Sequence, residues 1–153
     1  MSNNQIDDIN NSIYRYLNMR EHSKQELIEK LLKKKFDLKE ISECLNEFSK
    51  KNLQSDVRFT ESYTRVKFNS KKGPIFIRAS LRIKGVNKDI IDEALSIYSD
   101  DDWEKNAKLA LNKKYSTKKG GINLSAEKLR LFLQSRGFPF KIIEKAVNDY
   151  LKT

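Results

Sequence analysis

The chain is poor in the residues that punctuate a sequence or carry chemistry: among 153 residues there are one Cys, one His, one Trp, two Pro and five Gly. A lone cysteine, Cys44, excludes an intramolecular disulfide and fits a reducing compartment. Its neighbours Ile41, Leu45 and Phe48 assign it to a core. One imidazole and one thiol cannot assemble a nitrogen and sulfur ligand set, so neither metal nor cofactor is expected. Phosphate-cradling loops of the GxxxxGK(S/T) or GxGxxG kind are missing. No apolar run approaches membrane-spanning length, and the start, MSNNQIDDINN, has neither the basic nor the apolar region of a secretion signal. The expectation is a cytoplasmic protein without membrane contact, with residues 1–11 a disordered polar lead-in.

What the sequence does have is charge. Asp, Glu, Lys and Arg make up 34% of it, with a net charge of +10 that attracts polyanions or acidic surfaces at long range. That charge is polarised. Residues 1–56 hold ten basic and ten acidic side chains, residues 57–102 nine and seven, and residues 103–153 twelve and four. So few Gly and Pro amid so much charge favours amphipathic helices over a β-rich core, and an all-α fold is expected.

Three windows align without internal gaps: ELIEKLLKKKFDLKEISECLNEF (26–48), FIRASLRIKGVNKDIIDEALSIY (76–98) and KLRLFLQSRGFPFKIIEKAVNDY (128–150). Leu31, Leu81 and Leu133 coincide, as do Ile41, Ile91 and Ile143. So do the small residues Cys44, Ala94 and Ala146. Spacings of i, i+3, i+4 and i+7 on these positions define one apolar face per helix, so each window reads as a helical hairpin. Ser23 with Glu26, and Asp37 with Glu40, have capping-box spacing. Pro74 and Pro139 suit helix starts, and Gly85 and Gly137 suit left-handed turn positions that Lys35 fills in the first window. A further amphipathic stretch precedes each hairpin, with Tyr16 and Leu17, then Phe59 and Tyr63, then Trp103 and Leu111. Three tandem repeats of a three-helix unit follow, at 12–54, 55–99 and 100–153, stacked into an elongated, curved array.

No catalytic residue emerges. His22 is the one general base of ordinary pKa, and it packs at the entrance to a helix beside Ser23. Asp100, Asp101 and Asp102 precede Trp103 and read as a helix start. Phe59, Tyr63 and Trp103 have helical core spacing, and Tyr115, beside Lys113 and Lys114, is the aromatic best suited to stack on a base. The basic runs remain. Arg65, Lys67, Lys71 and Lys72 lead into Gly73-Pro74, where a helix start would add free amides for an anion. Arg78, Arg82 and Lys84 follow in the second window. In the third repeat Lys113, Lys114, Lys118 and Lys119 flank the Gly120-Gly121 hinge, and Arg130 repeats the position of Arg78.

Arg20, His22, Ser23, Glu26, Leu27, Lys30 and Leu31 form an RxHSxxELxxKL run, followed by Phe36, Ile41 and Leu45. Downstream come Arg58-Phe59, Gly73-Pro74 with Ile77, and Leu81 with Gly85-Val86. In order and spacing this resembles the RecX family from about Tyr14 to the C-terminus, with departures at Lys35, where Gly is usual, and Ser80, where an acid is common. The resemblance implies tandem three-helix repeats lodged in the groove of the RecA filament on single- or double-stranded DNA. It also implies inhibition of ATP hydrolysis, strand exchange and filament extension without any reaction on the chain itself. The twelve cations named above are the candidate RecA and DNA contacts of a monomer. An independent DNA-binding helical module is the alternative, and a small enzyme is the third and weakest reading.

Overall fold

The computed structural model describes residues 3–115 and 125–152, all helical or in short turns, with no strand among them. Among the described residues nine helices follow in order. They are α1 (Asn3–Met19), α2 (Lys24–Lys33), α3 (Leu38–Lys50), α4 (Asp56–Asn69), α5 (Pro74–Ile83), α6 (Lys88–Leu95), α7 (Asp100–Tyr115), α8 (Ala126–Ser135) and α9 (Phe140–Lys152). The fold is an all-α helical repeat. The hairpins α2–α3, α5–α6 and α8–α9 fall on the three aligned windows.

The start differs from expectation. Residues 3–19 form one helix rather than a disordered lead-in, because Ile9 and Ile13 sit one turn apart and are both wholly buried. They join Leu27, Leu31, Ile41, Cys44, Leu45 and Phe48 in one core cluster, where each fully buried aliphatic side chain contributes about 2 kcal/mol. Ile6, Ile9, Ile13 and Leu17 continue one helical face back into the polar start, and Ile6 and Leu17 pack against the same cluster.

Capping follows the sequence closely but not completely. The Ser23 hydroxyl accepts from the Glu26 amide at 3.1 Å, and the Glu26 carboxylate accepts from the Ser23 amide at 3.1 Å, a complete reciprocal box. Ser99 and Asp102 form another at the start of α7, with distances of 2.9 and 3.1 Å. The second expected box is half formed: Asp37 accepts from the Glu40 amide at 3.2 Å, whereas a buried oxygen of Glu40 has no partner among the described residues.

The chain divides into two compact units, Met1–Tyr63 with Leu81–Ile91, and Thr64–Ser80 with Asp92–Thr153. The division runs through α4, α5 and α6, so the second repeat has no compact unit of its own. Within each unit one hairpin turn is seated on the start of the preceding hairpin. In the first unit the Ser23 hydroxyl donates to the Lys84 carbonyl at 2.8 Å. In the second the Gly73 amide donates to the Arg136 carbonyl at 2.8 Å, and the Ile75 amide to that of Gly137 at 3.0 Å. Ser23 and Gly73 are equivalent positions of the repeat, as are Lys84 and Arg136.

Gly85 and Gly137 adopt φ of +80° and +94°, as their turn positions demand. Contact imposes a second requirement. A Cβ on Gly85 would lie 2.6 Å from the Gln25 Cβ, and one on Gly137 would strike the backbone of Phe76. Lys35 holds φ 71° at the equivalent place in the first repeat. Gly85→Ala should therefore lower unfolding stability by about 2 kcal/mol or more, and Lys35→Gly should raise it by up to about 1 kcal/mol. Urea unfolding followed by circular dichroism checks both, and a Gly85→Ala chain as stable as the parent would refute the seated-turn constraint.

Candidate functional site

The second unit gathers cations from three places. At the end of α4, Lys71 adopts φ 65° and its ammonium donates to the Asn69 carbonyl at 3.0 Å. Lys72 lies 4.5 Å from the centre of the Phe76 ring. From the α8–α9 turn, the Arg136 guanidinium donates to the carbonyls of Ser70 and Lys71, which fixes it against the α4 end. Arg136 and, from the end of α7, Lys114 lie 5.9 and 5.6 Å from the centre of the Phe132 ring. Among the described residues no carboxylate pairs with Lys71, Lys72, Lys114 or Arg136. Burial pushes the Lys72 ammonium below its usual pKa, and repulsion from Arg136 and then Lys67 pushes it the same way. Uncompensated positive charge held next to half-buried rings is the condition for binding an anion, which would relieve that repulsion.

Two of the amides expected to be free at the start of α5 are taken, because those of Gly73 and Ile75 already donate to the turn carbonyls. The anion site at this place rests mainly on side chains. Tyr115 is also not a stacking residue: it is 5% exposed and meets the Phe132 ring edge-on, 5.7 Å between centroids. Phe59 and Trp103 are core residues, as their spacing indicates.

The remaining candidates are dispersed. Arg78 pairs with Asp92 at 2.6 Å and Arg130 with Glu144 at 2.6 Å, each tying the two helices of its own hairpin together. Asp92 and Glu144 are equivalent positions, so the shared cation is a stitch repeated in two hairpins. In the first unit Lys84 pairs with Glu26 at 3.3 Å and lies over the Tyr63 ring, while Arg82 is exposed. Arg65 and Lys113 are exposed in the second unit, and Lys67 stands near Lys72. Lys118, Lys119 and the Gly120-Gly121 hinge lie outside the described residues. Sequence reading missed Arg136. The signal was present, since Lys34, Lys84 and Arg136 put a cation before the turn in all three windows.

The RxHS run is structural. His22 is 1% exposed, with Nδ1 3.0 Å from the Arg20 carbonyl and Nε2 3.0 Å from the Lys30 ammonium. That geometry requires a neutral ring, donating through Nδ1 and accepting at Nε2. Burial lowers its pKa and Arg20 and Lys30 add to that, outweighing the hydrogen bond to the Arg20 carbonyl. Burial raises Glu26, but its hydrogen bonds from Arg20 and the Ser23 amide, with the charges of Arg20 and Lys84, hold it at about 2. Among the described residues no three His, Cys, Asp or Glu side chains are grouped to hold a metal ion, and no helix is long and apolar enough to cross a membrane.

Two family profiles match, "RecX, first three-helix domain" over residues 11–48 and "RecX, second three-helix domain" over residues 55–95. The chain is 35% identical over 138 residues to the Regulatory protein RecX of Legionella pneumophila (strain Corby), covering 90% of this chain and 91% of that one. The chain belongs to the RecX family. A second RecX, from Haemophilus influenzae (strain PittEE), is 42% identical over 106 residues, 69% of each chain. The fold agrees with the crystal structure of RecX from Lactobacillus salivarius at a TM-score of 0.83, with 24% identity over 99% of this chain and 100% of that one.

Both titrations of the RxHS cluster weaken the fold on acidification. An unfolded chain binds protons at its ordinary histidine, so stability falls as pH drops below 6.5. The Glu26 contribution is complete above pH 4.5 and is lost as pH falls towards about 2. Glu26→Gln should be clearly less stable than the parent at pH 7 and nearly equal to it near pH 2, as read from urea midpoints. A constant difference across that range would show that Glu26 is not held by Arg20, Ser23 and Lys84.

Proposed function

We propose that this RecX-family chain is a non-catalytic, cytoplasmic regulator of the RecA recombinase. As a monomer it binds the RecA–DNA filament and restrains ATP hydrolysis, strand exchange and filament extension. Its relatives are named regulatory proteins. The observation that carries the binding role is the group of uncompensated cations Lys71, Lys72, Lys114 and Arg136, assembled from the ends of α4 and α7 and the α8–α9 turn. Phosphates of DNA within the filament fit it, each neutralised phosphate releasing counterions and steepening the salt dependence.

Arg78 and Arg130 have a reduced part in this reading, since each already faces a carboxylate. Such half-exposed pairs are worth at most about 1 kcal/mol to the hairpin. Lys72 and Lys114 are the better probes, because among the described residues neither holds a carboxylate or a backbone carbonyl.

The chain at near-equal amounts to RecA should lower DNA-dependent ATP hydrolysis, and an unchanged rate at excess would refute the reading. The double change Lys72→Glu with Lys114→Glu should weaken binding to the RecA–DNA filament about tenfold or more and flatten its salt dependence by roughly two charges. Arg78→Ala should leave it nearly unchanged. The aromatic faces beside the cations favour direct DNA contact as the second reading. If the double variant loses bare DNA but still inhibits RecA fully, the cluster serves DNA binding alone and a separate surface meets RecA.

A further inference from the structure

A cleft of ≈ 500 Å³ lies beside the α8–α9 hairpin in the second unit. Its floor is Phe138 and Ile143, 2% and 6% exposed, and its walls are Ile75, Leu131 and Phe140, exposed by 55%, 60% and 76%. The repeat does not require apolar residues at the walls. The positions equivalent to Ile75 hold Gln25 and Glu127, those equivalent to Leu131 hold Glu29 and Ala79, and those equivalent to Phe140 hold Leu38 and Lys88. Ile75 and Leu131 therefore depart from the repeat pattern, and they converge with Phe140, whose first-repeat counterpart is also apolar, on one cleft in a chain that is 34% charged. Apolar surface gathered where the fold does not need it marks a contact site.

The charges at the mouth narrow the occupant. Arg130 is neutralised by Glu144 at 2.6 Å, and Glu127 has no ion-pair partner among the described residues. The mouth is thus net negative within a chain of charge +10. A phosphate is repelled there, whereas an apolar side chain flanked by Lys or Arg is complementary. We infer that this cleft takes a cation-flanked apolar anchor, a Leu, Met or Phe, from the protein component of the filament. The inference rests on the filament-binding reading and assigns α8 two tasks. Phe132 and Arg136 serve the cationic surface, while Leu131 on the cleft side grips protein.

The test compares binding to RecA assembled on single-stranded DNA with binding to the bare oligonucleotide, using the full chain with Leu131→Ser and Phe140→Ser together. Phe140→Lys is a second probe that installs the side chain the second repeat carries there and leaves the buried floor intact. Each variant should lose filament affinity by about tenfold or more while oligonucleotide affinity and sedimentation as a free protein stay unchanged. Undiminished filament affinity in both variants overturns the inference and leaves the filament reading standing. An equal loss on the bare oligonucleotide overturns it by making the cleft a nucleic-acid contact. A parent that self-associates and variants that do not would overturn it by making the occupant a second copy. A parent that fails to bind the filament refutes the functional reading and this inference together.

Discussion

The structure depends on one repeated contact, the seating of a hairpin turn on the first residues of the preceding hairpin. Small three-helix units bury little apolar surface each, so stacking on a neighbour supplies the rest of the core. Here the contact is backbone against backbone or against a side-chain root, with no room for a Cβ at Gly73, Gly85 or Gly137. The turn carbonyls that would otherwise face water accept from the Ser23 hydroxyl and the Gly73 amide. The same bonds consume donors at the start of α5 that could have held an anion, so structure and function compete for one set of amides.

That competition moves the binding chemistry onto side chains. Seating the α8–α9 turn brings Arg136 against the end of α4, where its guanidinium locks onto two carbonyls. Lys72, which Arg136 repels, and Lys114, beside the Phe132 ring, complete the group. Arg78, Arg130 and Lys84, by contrast, are paired with Asp92, Glu144 and Glu26. A net charge of +10 thus says little about where a polyanion is met. The local balance of cations against carboxylates decides that.

The RxHS run shows the same economy in the first unit. His22, Ser23 and Glu26 are the most chemically suggestive residues in the sequence, yet their side-chain polar atoms are engaged within the first unit, at the helix start, on Lys30 and on the seated turn. Glu26 alone accepts from Ser23, Arg20 and Lys84. Buried polar groups of this kind are fully committed because an unpaired one would be costly.

The sequence by itself determined the helices, their hairpin pairing, the caps at Ser23 and the left-handed turns at Gly85 and Gly137, since each depends on residues within a few positions of one another. Ile9 and Ile13 escaped it, being apolar residues in a polar stretch whose partners lie from about fourteen residues away, at Leu27, to almost forty, at Phe48. Tertiary structure alone decided which cations remain available. Arg78 and Arg130 look free in the sequence and are paired across a turn, whereas Arg136 looks like one basic residue among many and becomes the hinge pin of a cluster. Charge is a local property of composition, but its compensation depends on which side chains the fold brings within a few ångströms, and no spacing along the chain states that.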